Sequence, residues 1–408
     1  MFLQSLPMVF ILAGLALYTV LGGADLGAGF WQLATVRRPN AGSIRDFAHR
    51  AMGPVWEANH VWLVFVVVVF LSAYPKASGS ITSTLAVPLF IALLGILLRG
   101  VSYAMREGAA TPRESGRIDM RFALSSILVP FALGAAVGGI ATNRVPVGNA
   151  AGDMWSSWLN PTSIVIGTLA VATSAYLAAV YLAADAAHDR EATLERSFRA
   201  RALGSGVVAG AIAIAGLFVV NADDHHLVRS LLHGRALPAV IASGLAGVAT
   251  LVLVYRCRYE LARYAASLAV AAVVAAWALS RWPTILPGLS IHQAAAGHDA
   301  LVCIVVAVVG GAVLLLPALA LLFRLTLAGR FREDERTMPE ARPVTRRTVN
   351  FRLLGRVAIA CLIAGFGLLN VADATWAHAA GVVCLFAFLG LAFRAVVVPS
   401  LDEQAATG

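Results

Sequence analysis

The stretch Gly53-Pro54-Val55-Trp56-Glu57-Ala58-Asn59-His60-Val61-Trp62-Leu63 sets a carboxylate, an amide, an imidazole and two indoles at the entry of a strongly apolar run, Val61 to Leu71. Pro54 suits a first helical turn, where its missing N–H would be unpaired in any case. Glu57 and His60 then fall at i and i+3 and share a helix face. A charge at the mouth of a membrane helix has two readings. It can snorkel toward headgroups as an anchor, or it can form a proton or ligand site inside a bundle. The choice depends on partners elsewhere in the chain.

Composition sets the class. Hydrophobic residues make up 59% of the 408 positions and charged residues 13%, and the mean hydropathy is +0.80. An average soluble domain carries roughly 25% charge, so the chain reads as an all-α, polytopic membrane helical bundle. A net charge of +9 does not indicate nucleic acid. All but one of the 31 basic residues are arginine, the exception being Lys76, and they sit in short clusters between apolar runs, which is the pattern of membrane topology.

Windows of apolar residues fall at 8–28, 58–76, 80–104, 121–142, 162–184, 202–221, 237–255, 261–281, 300–323, 354–371 and 378–398. Each is near the ~20 residues that a bilayer crossing needs, which predicts about eleven transmembrane helices. Met8 to Val20 is read as a mature helix rather than a signal peptide, since no positive charge precedes it and the apolar pattern continues to Trp31. Arginine alternates between the connections. The odd ones hold Arg37, Arg38, Arg45 and Arg50, then Arg106 to Arg121, Arg190 to Arg201, Arg256 to Arg263 and nine arginines from Arg324 to Arg356. The even ones hold only Lys76, Arg144, Arg229, Arg235 and Arg281. Positive charge stays inside, so the N-terminus is expected outside and the C-terminus in the cytoplasm. Trp155, Trp158, Trp282 and Trp376 would then form an outer aromatic belt.

The outside segments are too short for a soluble domain, so chemistry is expected within the bilayer, at helix ends or in a partner. His225-His226 are adjacent and do not face one ligand on a regular element. Cys257, Cys303, Cys361 and Cys384 show no C-x-x-C spacing and are read as small core residues.

This topology brings three charges to one depth. Asp25, in Gly22-Gly23-Ala24-Asp25-Leu26-Gly27-Ala28-Gly29, lies near the inner end of the first span, Glu57 opens the second, and Arg99 ends the third. An isolated charge in a span costs roughly 2.5–3.5 kcal/mol, which argues that the three meet. Glycines around Asp25 allow close helix approach. One arginine facing two carboxylates leaves a net negative site, in which one carboxylate can carry a proton while Arg99 holds the other ionised. A structural ion pair joining spans one to three is the plainer reading. Asn59 and His60 add polar groups at the same mouth.

At these residues the chain resembles subunit II of the cytochrome bd-type quinol oxidases. The resemblance rests on Gly23-Ala24-Asp25-Leu26-Gly27, on Gly53-Pro54 with Trp56, Glu57, Asn59, Trp62 and Leu63, on Tyr74-Pro75, and on Arg99. Trp158-Leu159-Asn160-Pro161, Trp282-Pro283, Leu286-Pro287 and His292-Gln293-Ala294-Ala295 extend it to roughly residues 1–330. It implies two four-helix bundles with a peripheral ninth helix, paired with a homologous subunit I that carries haem b and haem d. It further implies quinol:O2 oxidoreduction in a bacterial cell membrane, a small single-helix accessory subunit in some complexes, and Asp25, Glu57 and Arg99 in the family's polar cluster. That cluster is implicated in proton delivery, and some members hold a bound quinone there.

Two departures stand out. Glu57 replaces the more usual Asp, and His60 stands where Gln or Glu is common. Residues 331–353 form an Arg-rich cytoplasmic linker, and 354–408 add a helix pair and tail beyond the family's nine helices. Arg346-Arg347 suit anionic lipid headgroups at roughly 1 kcal/mol per residue. The chain offers too few buried His and Met at helical positions for a complete three-haem set, which favours a largely haem-free partner subunit, not catalytic alone. The competing class is a proton-coupled secondary transporter using Asp25 and Glu57, but neither a clear repeat nor paired midplane helix breaks are found. A reporter fused after Pro399 is expected to behave as cytoplasmic and one inserted near Ser230 as external. An external C-terminal reporter would overturn the arginine-based topology.

Overall fold

A computed structural model describes residues 2–35, 42, 44–45, 47–48, 56–106, 112–327, 351–371, 376–377, 379–388 and 390–391. The chain divides into two compact units, Met1–Ala318 and Leu319–Gly408.

In the first unit the opening span is a single 33-residue rod, Phe2–Ala34. It consists of α1 (Phe2–Leu17), a π-helical turn (Tyr18–Gly22) and α2 (Gly23–Ala34). A π-turn inside a long helix inserts an extra residue and rotates everything after it relative to what came before. α3 (Trp56–Ala73) carries the apolar run. It stops at Tyr74 because Pro75 cannot extend the ladder, and the chain bends by 120° into the short hydroxyl-rich α4 (Pro75–Thr84). α5 (Ala86–Arg106) and α6 (Pro112–Ala141) complete the first group of spans. α7 (Pro161–His188) starts with Pro161 at its first position and with the Asn160 carboxamide oxygen accepting from the Ser163 N–H at 2.9 Å. α8 (Ala192–Asp223), α9 (His225–His233), α10 (Leu237–Tyr255) and α11 (Tyr259–Arg281) follow. A two-stranded antiparallel hairpin, β1 (Thr284–Leu286) and β2 (Leu289–Ser290), leads to the single turn α12 (Ile291–Ala294) and then to α13 (His298–Leu327).

α7 packs on α8, α10 on α11, and the contacts α8–α10 and α7–α11 close a four-helix bundle. From the other group α2 and α6 pack against α7 and join the two sets. Small residues make this junction possible. A Cβ on Gly27 would lie 1.8 Å from the Ser174 carbonyl oxygen of α7, and one on Gly29 would lie 2.1 Å from the Ser126 Oγ of α6. Without hydrophobic drive in lipid, such close backbone approach supplies the van der Waals contact that holds helices together.

The end of the first group at the α3–α4 bend is closed by segments distant in sequence. Ala296 N–H donates to Ala73 O at 2.8 Å, Tyr74 hydroxyl donates to Gln4 O at 2.7 Å, and His292 Nδ1 pairs with Gln4 Oε1 at 2.9 Å. The Gly148 and Ala150 N–H groups donate to the Ser80 and Ser83 hydroxyls at 2.9 and 2.8 Å. Tyr74-Pro75 and the Trp282 to Ala295 stretch, widely separated in sequence, thus meet in one cap.

Several sequence expectations change. Eight helices among the described residues are long and apolar enough to cross a bilayer, or nine with the bent α3–α4 pair. These match the first nine predicted spans. For the tenth and eleventh, α14 (Phe351–Val371) and Ala379–Phe388 of the second unit are helical, but the apolar stretches found there, Arg356–Gly365 and Ala379–Phe388, are short, so the count of eleven stays unconfirmed. A Cβ on Gly365 would lie 2.9 Å from Leu385, which shows these two helices in tight contact. Trp158 does not belong to an exposed belt: it is buried, with its indole N–H donating to Met154 O at 3.0 Å, whereas Trp155 is exposed. The cysteines are not core residues, since Cys257 and Cys303 are exposed and Cys361 and Cys384 half-buried. The linker at residues 331–353 lies almost wholly outside the described residues.

Gly27→Val forces a branched side chain into the Ser174 carbonyl and is expected to destabilise the fold by about 1–3 kcal/mol or more. Gly210→Ala, facing open space, is expected to be neutral. Melting temperatures of the two variants in detergent check this, and equal values would contradict the close-approach account.

Candidate functional site

Asp25 lies in the first turn of α2, directly after the π-turn, and is fully buried. Arg99, near the end of α5, is 1% exposed. Its Nη2 donates to Asp25 Oδ1 at 2.5 Å and to the Asp25 backbone carbonyl at 3.0 Å. Its Nη1 donates to the Ser126 hydroxyl of α6, and its guanidinium lies 4.0 Å from the Phe122 ring centroid. The Ser126 hydroxyl in turn donates to Phe122 O at 2.7 Å. One guanidinium therefore ties α2, α5 and α6 together with charge-assisted bonds and a cation–π contact, in the planar fork geometry that lysine could not supply. The second carboxylate oxygen, Asp25 Oδ2, is buried with no hydrogen-bond partner among the described residues.

α3 brings Asn59 and His60 to the same helix. Asn59 is buried and its Nδ2 donates to Leu21 O, inside the π-turn, at 3.3 Å. The His60 ring meets the Tyr18 ring edge-on with centroids 6.1 Å apart. Trp56 and Glu57 are the first helical residues of α3, but their side chains, with Gly53 and Pro54 entirely, lie outside the described residues. Trp62 packs edge-on against Phe65 at 6.4 Å. Of the predicted cluster, then, Asp25 and Arg99 are in direct contact, and Asn59 and His60 flank them through the π-turn. Ser126, Phe122 and Tyr18 were not anticipated. The signals were present as the Ser125-Ser126 pair inside an apolar span and as a tyrosine seven residues ahead of Asp25.

A second charged pair also escaped sequence reasoning. In the second bundle Arg263 of α11 donates to Asp185 of α7 and to Tyr181 O at 2.9 Å, and Tyr181 hydroxyl pairs with Ser267 Oγ at 2.8 Å. From the sequence alone Arg263 reads only as a topological charge. At the α8–α9 junction Asp224 caps α9, accepting from the His226 and Leu227 N–H groups at 2.9 and 3.2 Å, while Asp223 pairs with Arg144 at 2.7 Å and accepts from Thr162 at 2.8 Å. Those acids serve the helix terminus and the ion pair rather than the adjacent histidines. Among the described residues no group of three His, Cys, Asp or Glu is placed to hold a metal ion. His188, His225, His226, His233 and His298 sit at exposed helix ends and His292 is bonded to Gln4.

The family model described as "Cytochrome bd terminal oxidase subunit II" matches residues 3–326. The chain belongs to that family. A putative cytochrome bd menaquinol oxidase subunit II of Bacillus subtilis is 23% identical over 53% of this chain and 62% of its own length. The cytochrome bd-I ubiquinol oxidase subunit 2 of Escherichia coli is 22% identical over 53% of this chain and 56% of its own length. The matched stretch thus spans less than two thirds of either relative. Among solved structures, the bd oxidase from Geobacillus thermodenitrificans superposes with a TM-score of 0.63 at 25% identity, covering 80% of this chain and 99% of that one. The membership agrees with the multi-helix membrane architecture and places Asp25 and Arg99 inside the family's matched region.

Arg99→Leu strands the Asp25 carboxylate in a dry interior and is expected to cost about 3–5 kcal/mol, most of which returns in the Asp25→Asn/Arg99→Leu double variant, since that leaves no unpaired charge. Detergent melting of the three proteins measures the coupling. Strictly additive losses would mean the pair is energetically idle.

Proposed function

We propose that this chain is subunit II of a bd-type terminal quinol:O2 oxidoreductase of an aerobic respiratory chain, lying in a bacterial plasma membrane with its C-terminus in the cytoplasm. On this reading subunit I carries haem b and haem d and the oxygen chemistry. This chain supports its assembly and supplies a polar cluster of Asp25, Glu57, Asn59, His60 and Arg99. A small accessory subunit, quinol and membrane lipid complete the set of partners. The observation that carries the cluster's role is the one-sided satisfaction of Asp25. Arg99 holds Oδ1, while Oδ2 is buried with no hydrogen-bond partner among the described residues, open to a proton or a hydrogen-bond donor. A purely structural pair gains nothing from a carboxylate oxygen left unsatisfied, which costs about 1–3 kcal/mol.

The chemistry follows from charge balance. The Arg99 guanidinium pairs with the Asp25 carboxylate, and the sequence puts a second carboxylic acid, Glu57, at the start of α3; two acids that serve one site can share a proton. Such a pair can take up a proton on one side and release it on the other as oxygen reduction in the partner consumes protons. The completeness with which Asp25 and Arg99 are enclosed favours proton passage over direct contact of either residue with a quinone ring. The proton-coupled carrier class loses its support, because the family is that of an oxidase subunit.

Glu57→Gln keeps shape and hydrogen bonding but removes the titratable proton, whereas Glu57→Asp keeps the proton. In complexes with normal haem content the Gln variant is expected to turn over slowly, by about 10²-fold at most, and the Asp variant to retain much of the rate. Turnover per assembled complex is the measurement. An unchanged rate for Glu57→Gln would remove Glu57 from any obligatory path.

A further inference from the structure

α9 packs on α8, α10 and α11 where those spans end, and its residues divide by face. Leu227 and Val228 are buried, and Leu231 and Leu232 half-buried, in one cluster with Val220 of α8, Trp277 of α11 and Ala141 of α6. The Ser230 hydroxyl fixes the helix in place by donating to Ser280 O of α11 at 2.6 Å. On the other side, at about 100° per residue, His225, Arg229, His233 and His226 fall within one arc of about 100°. All four are exposed, as is Arg235 just past the helix. His225, Arg229 and His233 follow at i, i+4 and i+8, a row whose neighbours stand about 5–6 Å apart.

A row of bases at a surface ordinarily finds carboxylates, but the acids beside this one are engaged elsewhere. Asp224 caps the helix with Oδ1 and accepts from Asn143 at 3.4 Å with Oδ2, and Asp223 is shared between Arg144 and Thr162. α11 ends in another base, Arg281, which donates to Ala141 O and Asn143 Oδ1, both at 2.9 Å. α10 carries no titratable side chain before Tyr255. Arg229 and Arg235 form no ion pair among the described residues. Apolar rows lie below this cationic face, within about three turns of α9. Ile214 and Phe218 of α8 are 61% and 73% exposed, and Ile241 and Leu245 of α10 are 51% and 67% exposed. Charge at the end of a span with exposed aliphatic rows beneath it matches a molecule that is anionic at one end and hydrocarbon at the other.

The geometry points to the exposed face of α9 as a binding site for the phosphate of an anionic phospholipid, whose acyl chains run along the apolar rows of α8 and α10. Arg229 supplies a permanent charge and paired N–H donors to the phosphate oxygens. The flanking histidines add donors and charge when protonated, which for imidazole happens as the pH falls from about 8 to about 5. The phosphodiester stays ionised throughout, so the lipid is held more tightly at the acidic end. The site is separate from the Asp25–Arg99 cluster and stands whatever the chemistry of that cluster.

The test uses the full chain, purified with the subunits that accompany it and held in mixed micelles at fixed ionic strength, titrated with fluorescent phosphatidylglycerol or phosphatidylcholine. Arg229→Gln is expected to weaken phosphatidylglycerol binding about fivefold and to leave phosphatidylcholine unchanged. The wild-type affinity for phosphatidylglycerol is expected to rise about tenfold from pH 8 to pH 5.5, and the rise to vanish in the His225→Gln/His226→Gln/His233→Gln variant. An unchanged affinity in Arg229→Gln, or a pH rise that survives loss of the three histidines, overturns the proposal. Should Arg229→Gln fail to assemble, the histidine comparison decides alone. Inorganic phosphate is the competitor that separates the two sources of the anion. Phosphatidylglycerol that stays bound supports the lipid site, and its displacement at equal ionic strength would assign the row to a small soluble anion and overturn it.

Discussion

A guanidinium removed from water inside a membrane protein must find its compensation within the bundle, because the desolvation of a bare charge exceeds what any single packing contact returns. Arg99 of α5 meets this demand with a carboxylate, a backbone carbonyl, a hydroxyl and an aromatic face drawn from two other helices. The consequence reaches beyond the pair. α2, α5 and α6 can be placed only where all four partners are in range, so the register of the first group of spans is tied to one side chain.

That register in turn depends on the glycines and the π-turn. Gly27 and Gly29 remove the side chains that would hold α2 away from α7 and α6, and the π-turn at Tyr18–Gly22 sets the rotation of α2 relative to α1. A π-turn within a long helix is a common mark of a functional site. Here it also offers the Leu21 carbonyl to Asn59 of α3, so the helix irregularity joins the second span to the cluster. The charged pair of the second bundle, Asp185 with Arg263, repeats the acid–arginine theme in a wetter setting, with side chains 35% and 23% exposed. Screening by solvent makes that pair a weaker constraint than the fully enclosed one.

The bend at Tyr74-Pro75 shows how local chemistry and long-range packing combine. Proline dictates that the helix stop, yet the direction of the following α4 is held by bonds to the 148–150 loop, to the N-terminal turn at Gln4 and to the chain entering α13. Tyr74-Pro75 and the Trp282 to Ala295 stretch, far apart in sequence, are thereby parts of one cap rather than separate features.

The class of the fold, the eight or nine membrane-length helices among the described residues and the meeting of Asp25 with Arg99 were legible in the sequence, because bilayer thickness sets apolar run length and because charges in a low-dielectric medium must pair. Identity of the family was legible for a related reason, as its motif residues cluster where buried charge and close helix approach leave few alternatives. What remained hidden were the relations that depend on helix rotation and depth: Ser126 and Phe122 completing the Arg99 site, Arg263 finding Asp185, Trp158 turning inward, and the cysteines turning outward. A sequence shows which residues share a span, but a span that is apolar all round carries no moment to say which face looks inward. Only the packed bundle, through the close contacts at Gly27 and Gly29 and the turn at Tyr18–Gly22, decides that Tyr18, Asp25 and Gln32 are all turned away from the surface.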